Sequence, residues 1–381
     1  MRSPKGQLEL TWMGKDMALI PAEDGKYDYE WVDPSDPRAC EVKTIEVVKT
    51  VGETAGATGA NENLLIVGDS GDALRSIGTV PEWASRYKGK VKLVYIDPPF
   101  NTEQTFEHYV DQLEHSIWLT MMRDRIRDIK PLLAEDASIW IHLDDAEVHR
   151  MRVVLDEEFG PENFIAAVVW RASDNSNNDA NQFSEDHNTI LGYAKAPGWR
   201  SNRLPANGDK VSHYANPDND PDGAWFDGNP LNSPNPRENL RYTISSPTGY
   251  EIQPPPNGWR WSVETLREKI GSGEIRFTPD GKGIRRRTYL KDHAGLPPST
   301  LWTNLEETGH TRQAKSELKA LFPGRPTADL FATPKPERLM HRLLTLATLE
   351  GDLVLDCFAG SGTTAAVAHK LGRRWVTVEL L

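Results

Sequence analysis

Four successive residues, Asp97, Pro98, Pro99 and Phe100, combine a carboxylate, two prolines and an aromatic ring directly after an apolar stretch. The Asp97 carboxylate and the Pro98 carbonyl can accept hydrogen bonds from an amino group on a flat base, and the Phe100 ring offers a face for stacking. The prolines stiffen the loop because proline has a fixed φ. We therefore predict that this loop holds an exocyclic amino group. The alternative is a stiff turn that carries a solvated Asp97.

A second candidate loop near the end of the chain consists of small and polar residues after an apolar run. Its candidate ligand-binding residues are Asp356, Phe358, Gly360, Gly362 and Thr363. Glycines let a ligand approach the backbone closely, and Glu379, about 20 residues on, is placed to accept ribose hydroxyls. The pattern fits NAD as well as S-adenosylmethionine (SAM). No lysine follows the glycines, which excludes a phosphate-binding P-loop.

Strands must position both loops. Residues 91–96 are apolar and β-branched, as is typical of a buried parallel strand, and residues 353–356 and 375–379 repeat this pattern. Helical periodicity separates these stretches. Open α/β sheets bind ligands beyond the carboxyl ends of their strands. The sequence therefore predicts a doubly wound, mostly parallel α/β sheet that brings both loops to one edge.

Other charged residues close to the predicted strands allow two interpretations each. Asp69 ends a predicted strand, where it can cap the next helix, approach a cofactor, or do both. Lys335 precedes a predicted helix at 338–348 and is either a cofactor ligand or a residue of its first turn. On the helix predicted at 116–133, a solvated face is expected, in preference to a DNA contact, for three arginines: Arg123, Arg125 and Arg127.

The loop at 97–100 resembles the catalytic loop of DNA amino-methyltransferases, which methylate adenine N6 or cytosine N4 with SAM. The stretch at 353–364 resembles the SAM-binding motif of the same family. The catalytic loop comes first in the chain, an order similar to the β class, which includes modification subunits of type III restriction systems. The resemblance covers roughly 61–381. It implies a seven-stranded methyltransferase sheet with an inserted target-recognition module, and SAM rather than NAD, since hydride transfer has no use for the 97–100 loop.

The resemblance also implies roles for single residues. Phe100 stacks on a base flipped out of the duplex, while Asp97 and the Pro98 carbonyl hold its amino group for direct transfer. Cofactor contacts are implied for Asp69, Lys335, Asp356, Phe358, Gly360, Gly362, Thr363 and Glu379. Adenine N6 is favoured because Asp97 leads the loop. The alternatives are a cytosine-N4 enzyme, a non-catalytic DNA-binding specificity subunit, or an enzyme that acts on RNA or a protein amide.

The predicted organisation has four parts: a leader at 1–60, a catalytic part at 61–171, closing strands with a recognition insert at 172–326, and a SAM-binding part at 327–381. Between residues 240 and 325, 14 Lys and Arg outnumber 9 Asp and Glu, although the whole chain has a net charge of −12. Basic residues interleaved with aromatic ones suit DNA. The candidates are Trp259, Arg260, Trp261, Arg285, Arg286 and Arg287. The alternative is an irregular module with a solvated basic face.

Composition limits the remaining classes of protein. The 381 residues include only two cysteines, Cys40 and Cys357, which fits a reducing cytoplasm. No apolar run is long enough for a membrane span, and His142 and His149 lack zinc spacing, so no metal is expected. Double-stranded DNA, a second copy of the chain and a restriction nuclease or helicase subunit are the implied partners. Relatives usually continue with a helix after the Glu379 strand, so a truncated chain, or one whose downstream part is separate, is expected.

Overall fold

The computed structural model describes residues 8–21, 29–52, 62–100, 104–105, 110–111, 114–176, 180–204, 211–228, 231–293, 295 and 297–380. The chain divides into two units. The sheet unit comprises Met1–Asn202 and Pro298–Leu381, and the insert unit comprises Arg203–Pro297. The insert unit is narrower than the predicted region at 172–326, because the segments on either side of it contribute strands and helices to the sheet unit.

The strands of the described residues are β1 (Ala18–Pro21), β2 (Tyr29–Val32), β3 (Leu64–Val67), β4 (Val91–Ile96), β5 (Gln104–Thr105), β6 (Val110–Asp111), β7 (Leu133–Leu143), β8 (Phe164–Arg171), β9 (His187–Ala194), β10 (Trp225–Asp227), β11 (Ile244–Ser245), β12 (Glu251–Ile252), β13 (Ile275–Phe277), β14 (Ile284–Tyr289), β15 (Leu301–Trp302), β16 (Leu353–Asp356) and β17 (Arg374–Glu379). The helices are α1 (Pro37–Cys40), α2 (Ser70–Thr79), α3 (Pro81–Tyr87), α4 (His115–Ile129), α5 (Val148–Phe159), α6 (Val263–Gly271), α7 (Leu305–Thr308), α8 (Thr311–Leu321), α9 (Glu337–Ala347) and α10 (Thr363–Lys370).

The large sheet has the order β15-β8-β9-β7-β4-β16-β17-β3. The neighbours from β7 to β3 are all parallel, whereas β9 is antiparallel to both β7 and β8. The predicted doubly wound sheet and its closing hairpin are therefore confirmed. The number of strands differs from the predicted seven, because the two-residue strand β15 pairs with β8 and adds an eighth described strand.

Burial explains why the central strands form. In β4, every side chain except Lys92 is buried, as expected for a strand covered on both faces. Helices α2, α3 and α4 pack together, and α10 packs on α9 and β17. Each fully buried Leu, Ile or Val contributes about 1.5–3 kcal/mol relative to an exposed one. The core of the sheet unit therefore holds the strand ends in fixed positions.

The strand register brings distant residues together at the carboxyl edge. Ile96 of β4 pairs with Ile141 of β7, and Val94 of β4 pairs with Leu355 of β16. Because β4 lies between β7 and β16, the residues that follow these pairs converge. Asp97 consequently lies between His142 and Asp356, although about 260 residues separate Asp97 from Asp356 in the sequence.

The arginines of α4 correct one prediction. Arg123 is buried and donates to the carbonyls of Lys15 and Met17 in the leader, and Arg125 is buried against Asp69. Only Arg127 has a mainly exposed side chain. The expected solvated face is therefore wrong for two of the three arginines, because acceptors distant in the sequence pair with them.

The insert unit has its own small core. Its strands form an antiparallel sheet of order β10-β14-β13 and a β11–β12 pair. Helix α6 is preceded by Ser262, whose hydroxyl caps it by accepting from the Thr265 N–H. The buried core residues are Ile244, Ile252, Trp259, Leu266, Ile275 and Ile284. Among the described residues of the whole chain, none of the helices has the length and apolarity that a membrane crossing needs.

Candidate active site

The loop at 97–100 leaves β4 and is braced from α4. Pro98 and Pro99 are buried. The indole N–H of Trp118, which is fully buried, donates to the Pro99 carbonyl at 2.7 Å. Sequence reasoning missed Trp118, because nothing in its neighbourhood marks it as a partner of this loop. The hydrogen bond and the prolines together preorganise the loop.

His142, at the end of β7, packs beside the Phe100 ring. The two ring centres are 5.8 Å apart and the planes differ by 18°. His142 Nδ1 lies 2.9 Å from the Tyr95 hydroxyl, and Nε2 lies 3.2 Å from the amide oxygen of Asn188. Since an amide oxygen only accepts, Nε2 carries the proton and Nδ1 accepts from Tyr95.

Electrostatics keep His142 neutral. Burial lowers the pKa of His142 well below its usual value, and the charge of Lys335 lowers it further. A neutral, hydrogen-bonded ring is a rigid support for Phe100. The sequence considered by itself drew attention to His142 only as a possible metal ligand. The signal for its role here was its position at the carboxyl end of a predicted strand.

Lys335 lies against the loop at 97–100. It lies in the segment before α9, and its Nζ forms an ion pair with Asp97 Oδ2. The same Nζ lies 4.9 Å from the centre of the Phe100 ring, within the range of a cation–π contact. Both charged side chains are largely buried. The structure thus places Lys335, predicted as a cofactor residue, against the two residues expected to hold the base.

The glycine loop follows β16. Gly360 and Gly362 have φ values of +54° and +78°, in the left-handed region that favours glycine. The Gly360 N–H donates to Glu379 Oε2 at 2.6 Å, and the Phe358 N–H donates to Asp356 Oδ1 at 3.0 Å. Thr363 begins α10, and its hydroxyl lies 2.9 Å from that of Ser361. The six predicted cofactor residues from Asp356 to Glu379 thus lie together.

The space around these glycines indicates a cradle. A Cβ at Gly362 would meet nothing within 4 Å, whereas one at Gly360 would come within 3.0 Å of the Phe331 ring. Backbone amides at the start of α10 are therefore accessible beside an open space. Such an open, glycine-lined loop leaves room for an adenosyl cofactor.

Three carboxylates lie at the ends of the adjacent strands β4, β16 and β17. Burial raises the pKa of Asp356 to about 7, and the charges of Asp97 and Glu379 contribute to the rise. A cation close to this cluster would relieve the repulsion, whereas a pyrophosphate would increase it. SAM carries a sulfonium and an ammonium group, so the residues fit SAM better than NAD.

Asp69 caps α2, which confirms one of its two interpretations. Its Oδ1 accepts from the N–H groups of Gly71 and Asp72, and Arg125 donates to both of its carboxylate oxygens at 2.9–3.0 Å. Burial by itself would raise the pKa of Asp69, but Arg125 and the two N–H groups outweigh burial and lower it. A contact between Asp69 and the cofactor stays a prediction.

The tryptophans predicted to contact DNA differ in exposure. Trp259 is buried in the core of the insert unit, and its indole N–H donates to the Tyr242 carbonyl at 2.7 Å. Trp261 is partly buried, and the Arg286 guanidinium lies 5.3 Å from its ring centre. Arg260 is exposed. Trp259 therefore has a structural role, which leaves Arg260 as the accessible residue of this stretch.

The three arginines of β14 do not point the same way. Arg286 pairs with Glu274 at 2.7 Å, while Arg287 pairs with two acids, Asp218 and Asp220. Arg285 is 61% exposed and pairs with Asp227 at 3.2 Å. Because side chains alternate along a strand, Arg285 and Arg287 share one face. Arg285 is the most accessible of the three predicted DNA contacts.

Comparison with known proteins adds independent information. The family model described as "DNA methylase", that of the N6 and N4 methyltransferases, matches residues 91–381. The chain is 27% identical over 376 residues to the Mod subunit of the type III restriction-modification enzyme StyLTI of Salmonella typhimurium, with 89% of this chain and 54% of that protein covered. It is 29% identical over 382 residues to the EcoPI Mod subunit of Escherichia phage P1, with 81% and 55% covered.

Type II enzymes also match. The chain is 29% identical over 303 residues to the methyltransferase M.EcaI of Enterobacter cloacae, with 76% of this chain and 62% of that protein covered. Its structure aligns with one titled PvuII DNA methyltransferase (cytosine-N4-specific) at 15% identity and a TM-score of 0.45, with 84% of this chain and 83% of that chain covered. The chain thus spans little more than half the length of the two Mod subunits.

Proposed function

Because the chain belongs to the family of N6 and N4 DNA methylases, we propose that it transfers a methyl group from SAM to the N6 amino group of adenine in double-stranded DNA. The observation that supports this most directly is the catalytic loop, braced by Trp118 and beside His142, with the carboxylate of Asp97 next to the glycine loop. The choice of adenine over cytosine rests on the resemblance, in which Asp97 leads the loop.

The geometry suggests how the residues act. The target base leaves the duplex, since its amino group is otherwise out of reach. Phe100 stacks on the base, while Asp97 and the Pro98 carbonyl accept its two N–H groups and orient the nitrogen lone pair. SAM, when bound, supplies a methyl group on a sulfonium. Because the loop is already ordered, positioning and electrostatics provide most of the rate enhancement.

The partners follow from the relatives. Two of them carry the name of a Mod subunit of a type III restriction-modification enzyme. We accordingly propose that this chain works with a restriction nuclease or helicase subunit in the cytoplasm, and that it forms a homodimer. Sedimentation of the chain with and without DNA measures the oligomeric state.

Sequencing of modified bases tests the activity. DNA from cells that express the chain should contain N6-methyladenine at one recurring sequence, and DNA from cells that express Asp97→Ala should not. Calorimetry should show that Asp97→Ala still binds SAM, because Asp97 holds the base. N4-methylcytosine would identify the cytosine enzyme instead. Sequence-specific DNA binding without any methylation would identify a non-catalytic specificity subunit.

A further inference from the structure

Lys335 competes with the target base for the catalytic loop. Its ammonium pairs with the Asp97 carboxylate and lies 4.9 Å from the Phe100 ring centre. A base stacked on Phe100 would place its own centre about 4.5–7 Å from that ring centre. The ammonium therefore occupies one of the two carboxylate oxygens of Asp97 and part of the space that the base requires. Lys335 must therefore move before the base can occupy that space beside Asp97 and Phe100.

The backbone around Lys335 is anchored on both sides. Lys315 of α8 donates to the Phe331 carbonyl at 3.0 Å. On the other side, the Glu337 N–H donates to Glu317 at 3.0 Å, and the Glu337 carboxylate pairs with Lys370 of α10 at 2.6 Å. Movement is consequently easiest in the Lys335 side chain, whose flexible four-carbon stem carries the charge.

The segment that contains Lys335 also contacts the glycine loop. The Phe331 ring packs so closely on Gly360 that a Cβ there would come within 3.0 Å of it. Lys335 follows four residues later and reaches Asp97. Residues 331–335 thus connect the glycine loop with the catalytic loop. A lysine in this position can exchange Asp97, its partner beside the proposed base site, for a partner in the proposed cofactor site.

We propose that Lys335 is a positioning residue that makes base binding depend on the cofactor. It holds Asp97 until the carboxylate of the cofactor, its one anionic group, takes over as the partner of the ammonium. The base amino group can then replace the ammonium at Asp97. The inference rests on the proposed function. Linkage requires that cofactor and base strengthen each other's binding, typically by about 5–150-fold.

Binding titrations with two duplexes test the proposal. One duplex carries adenine at the target position, and the other carries purine, which lacks the amino group. The ratio of their affinities reports the contact between Asp97 and the amino group. In the wild-type protein, this ratio should rise about 5–150-fold when S-adenosylhomocysteine is added. Decarboxylated SAM, which lacks the anionic group, should leave the ratio unchanged.

Variants locate the effect. Lys335→Met should give the high ratio without any cofactor, and S-adenosylhomocysteine should not raise it further. Lys335→Arg keeps the charge and should keep the dependence. Lys370→Met is the matched control, because it removes an exposed lysine paired with Glu337 and leaves Asp97 untouched. Thermal unfolding shows whether each variant folds.

Several outcomes would overturn the proposal. A ratio near one for Lys335→Met in every condition would mean that Lys335 supports Asp97 instead of withholding it. If the ratio for Lys335→Met equals that of the wild-type protein in every condition, base binding and cofactor binding are not coupled through Lys335. Methyl transfer from SAM by the wild-type protein is measured on the adenine duplex in parallel. Its absence would contradict the proposed function itself, which is a separate result.

Discussion

At the scale of single residues, the buried carboxylate of Asp356 responds to its charged neighbours. An ordinary aspartate is ionised well below neutral pH, but burial and the charges of Asp97 and Glu379 raise the pKa of Asp356 to about 7. Asp356 is therefore partly protonated near neutrality in the free protein. A cation bound beside it favours the ionised form.

This shift predicts that SAM binding depends on pH. A cationic ligand prefers ionised Asp356, so SAM affinity should rise as the pH increases through about 7 and level off above it. Calorimetry from about pH 5.5 to about pH 8.5, roughly 1.5 units on either side of that pKa, measures this dependence. Below neutrality, it should also show that SAM binding releases a proton.

Asp356→Asn provides the control for this dependence. The amide cannot titrate, so its SAM affinity should be lower and flat across the same pH range. The stability of the folded protein depends on pH in the opposite direction from the SAM affinity. A carboxyl whose pKa is raised on folding stabilises the folded state below its unfolded pKa, and this contribution is lost as the pH rises through about 7. A SAM affinity of the wild-type protein that does not change with pH would contradict the assignment.

At the scale of secondary-structure elements, helix α4 and strand β7 support the loop at 97–100 from two sides. The indole of Trp118 on α4 fixes the Pro99 carbonyl, and His142 on β7 packs beside Phe100. Neither element belongs to the loop or follows it directly. The geometry of the loop consequently depends on the packing of the whole sheet unit.

Trp118→Phe should lower kcat while SAM affinity stays nearly normal. Phenylalanine retains an aromatic ring but leaves the buried Pro99 carbonyl without its donor, at a cost of about 1–3 kcal/mol. Trp83→Phe, at another buried tryptophan of the sheet unit, controls for general destabilisation. Equal losses of activity in the two variants would mean that Trp118 only fills the core.

Gly362→Val should weaken SAM binding strongly. The positive φ at this position costs a residue with a Cβ about 1–2 kcal/mol, and the side chain would enter the open space of the cradle. Gly351 is the matched control, because its φ is +83° and a Cβ there also meets nothing within 4 Å.

Calorimetry and thermal unfolding separate the two effects. Gly351→Val should lose similar stability and keep SAM affinity, whereas Gly362→Val should lose both. If the two variants bind SAM equally well, the open space at Gly362 is not part of the cofactor site.

At the scale of the whole molecule, the insert unit is less basic than the sequence of residues 240–325 suggests. The window at 240–325 is basic, but the insert unit at 203–297 contains 13 Lys and Arg and 12 Asp and Glu. Its acids at 218, 220 and 227 pair with arginines of β14. The unit is nearly neutral, so any DNA contact must come from individual exposed side chains.

Arg285→Ala should weaken DNA binding and leave SAM affinity unchanged. If Arg285 contacts a phosphate, the salt dependence should flatten by about one unit; if it reads a guanine edge, specificity at one position should relax by about 1–3 kcal/mol. Titrations at several salt concentrations on cognate and scrambled duplexes distinguish the two.

Two further variants complete this test. Arg127→Ala removes an exposed, singly paired arginine of α4 and should not affect DNA binding. The triple change of Arg285, Arg286 and Arg287 to Ala should also destabilise the insert unit, because it removes the ion pairs of Arg286 with Glu274 and of Arg287 with Asp218 and Asp220. Normal affinity of Arg285→Ala on both duplexes would direct the search to Arg260.

The sequence by itself determined the two loops, their order and the strands that carry them. The chemistry of Asp97 and Phe100, and the freedom of Gly360 and Gly362, depend on residue type and on immediate neighbours, which a sequence displays. The cap at Asp69 is local in the same sense, because its hydrogen bonds go to residues two and three positions on. Strand length and burial follow from runs of apolar residues.

Only the tertiary structure decided which charges meet. Asp97 and Lys335 are 238 residues apart, Asp69 and Arg125 are 56 apart, and Arg287 reaches acids nearly 70 residues before it. Electrostatic energy depends on distance in space and on burial. A count of charges along the chain therefore predicted a solvated face where Arg123 and Arg125 are buried. It also predicted a basic module where the acids of the insert unit nearly balance its arginines and lysines. The strand order places β4 between β7 and β16, and that order brings the loop at 97–100 and the glycine loop to the same edge of the sheet.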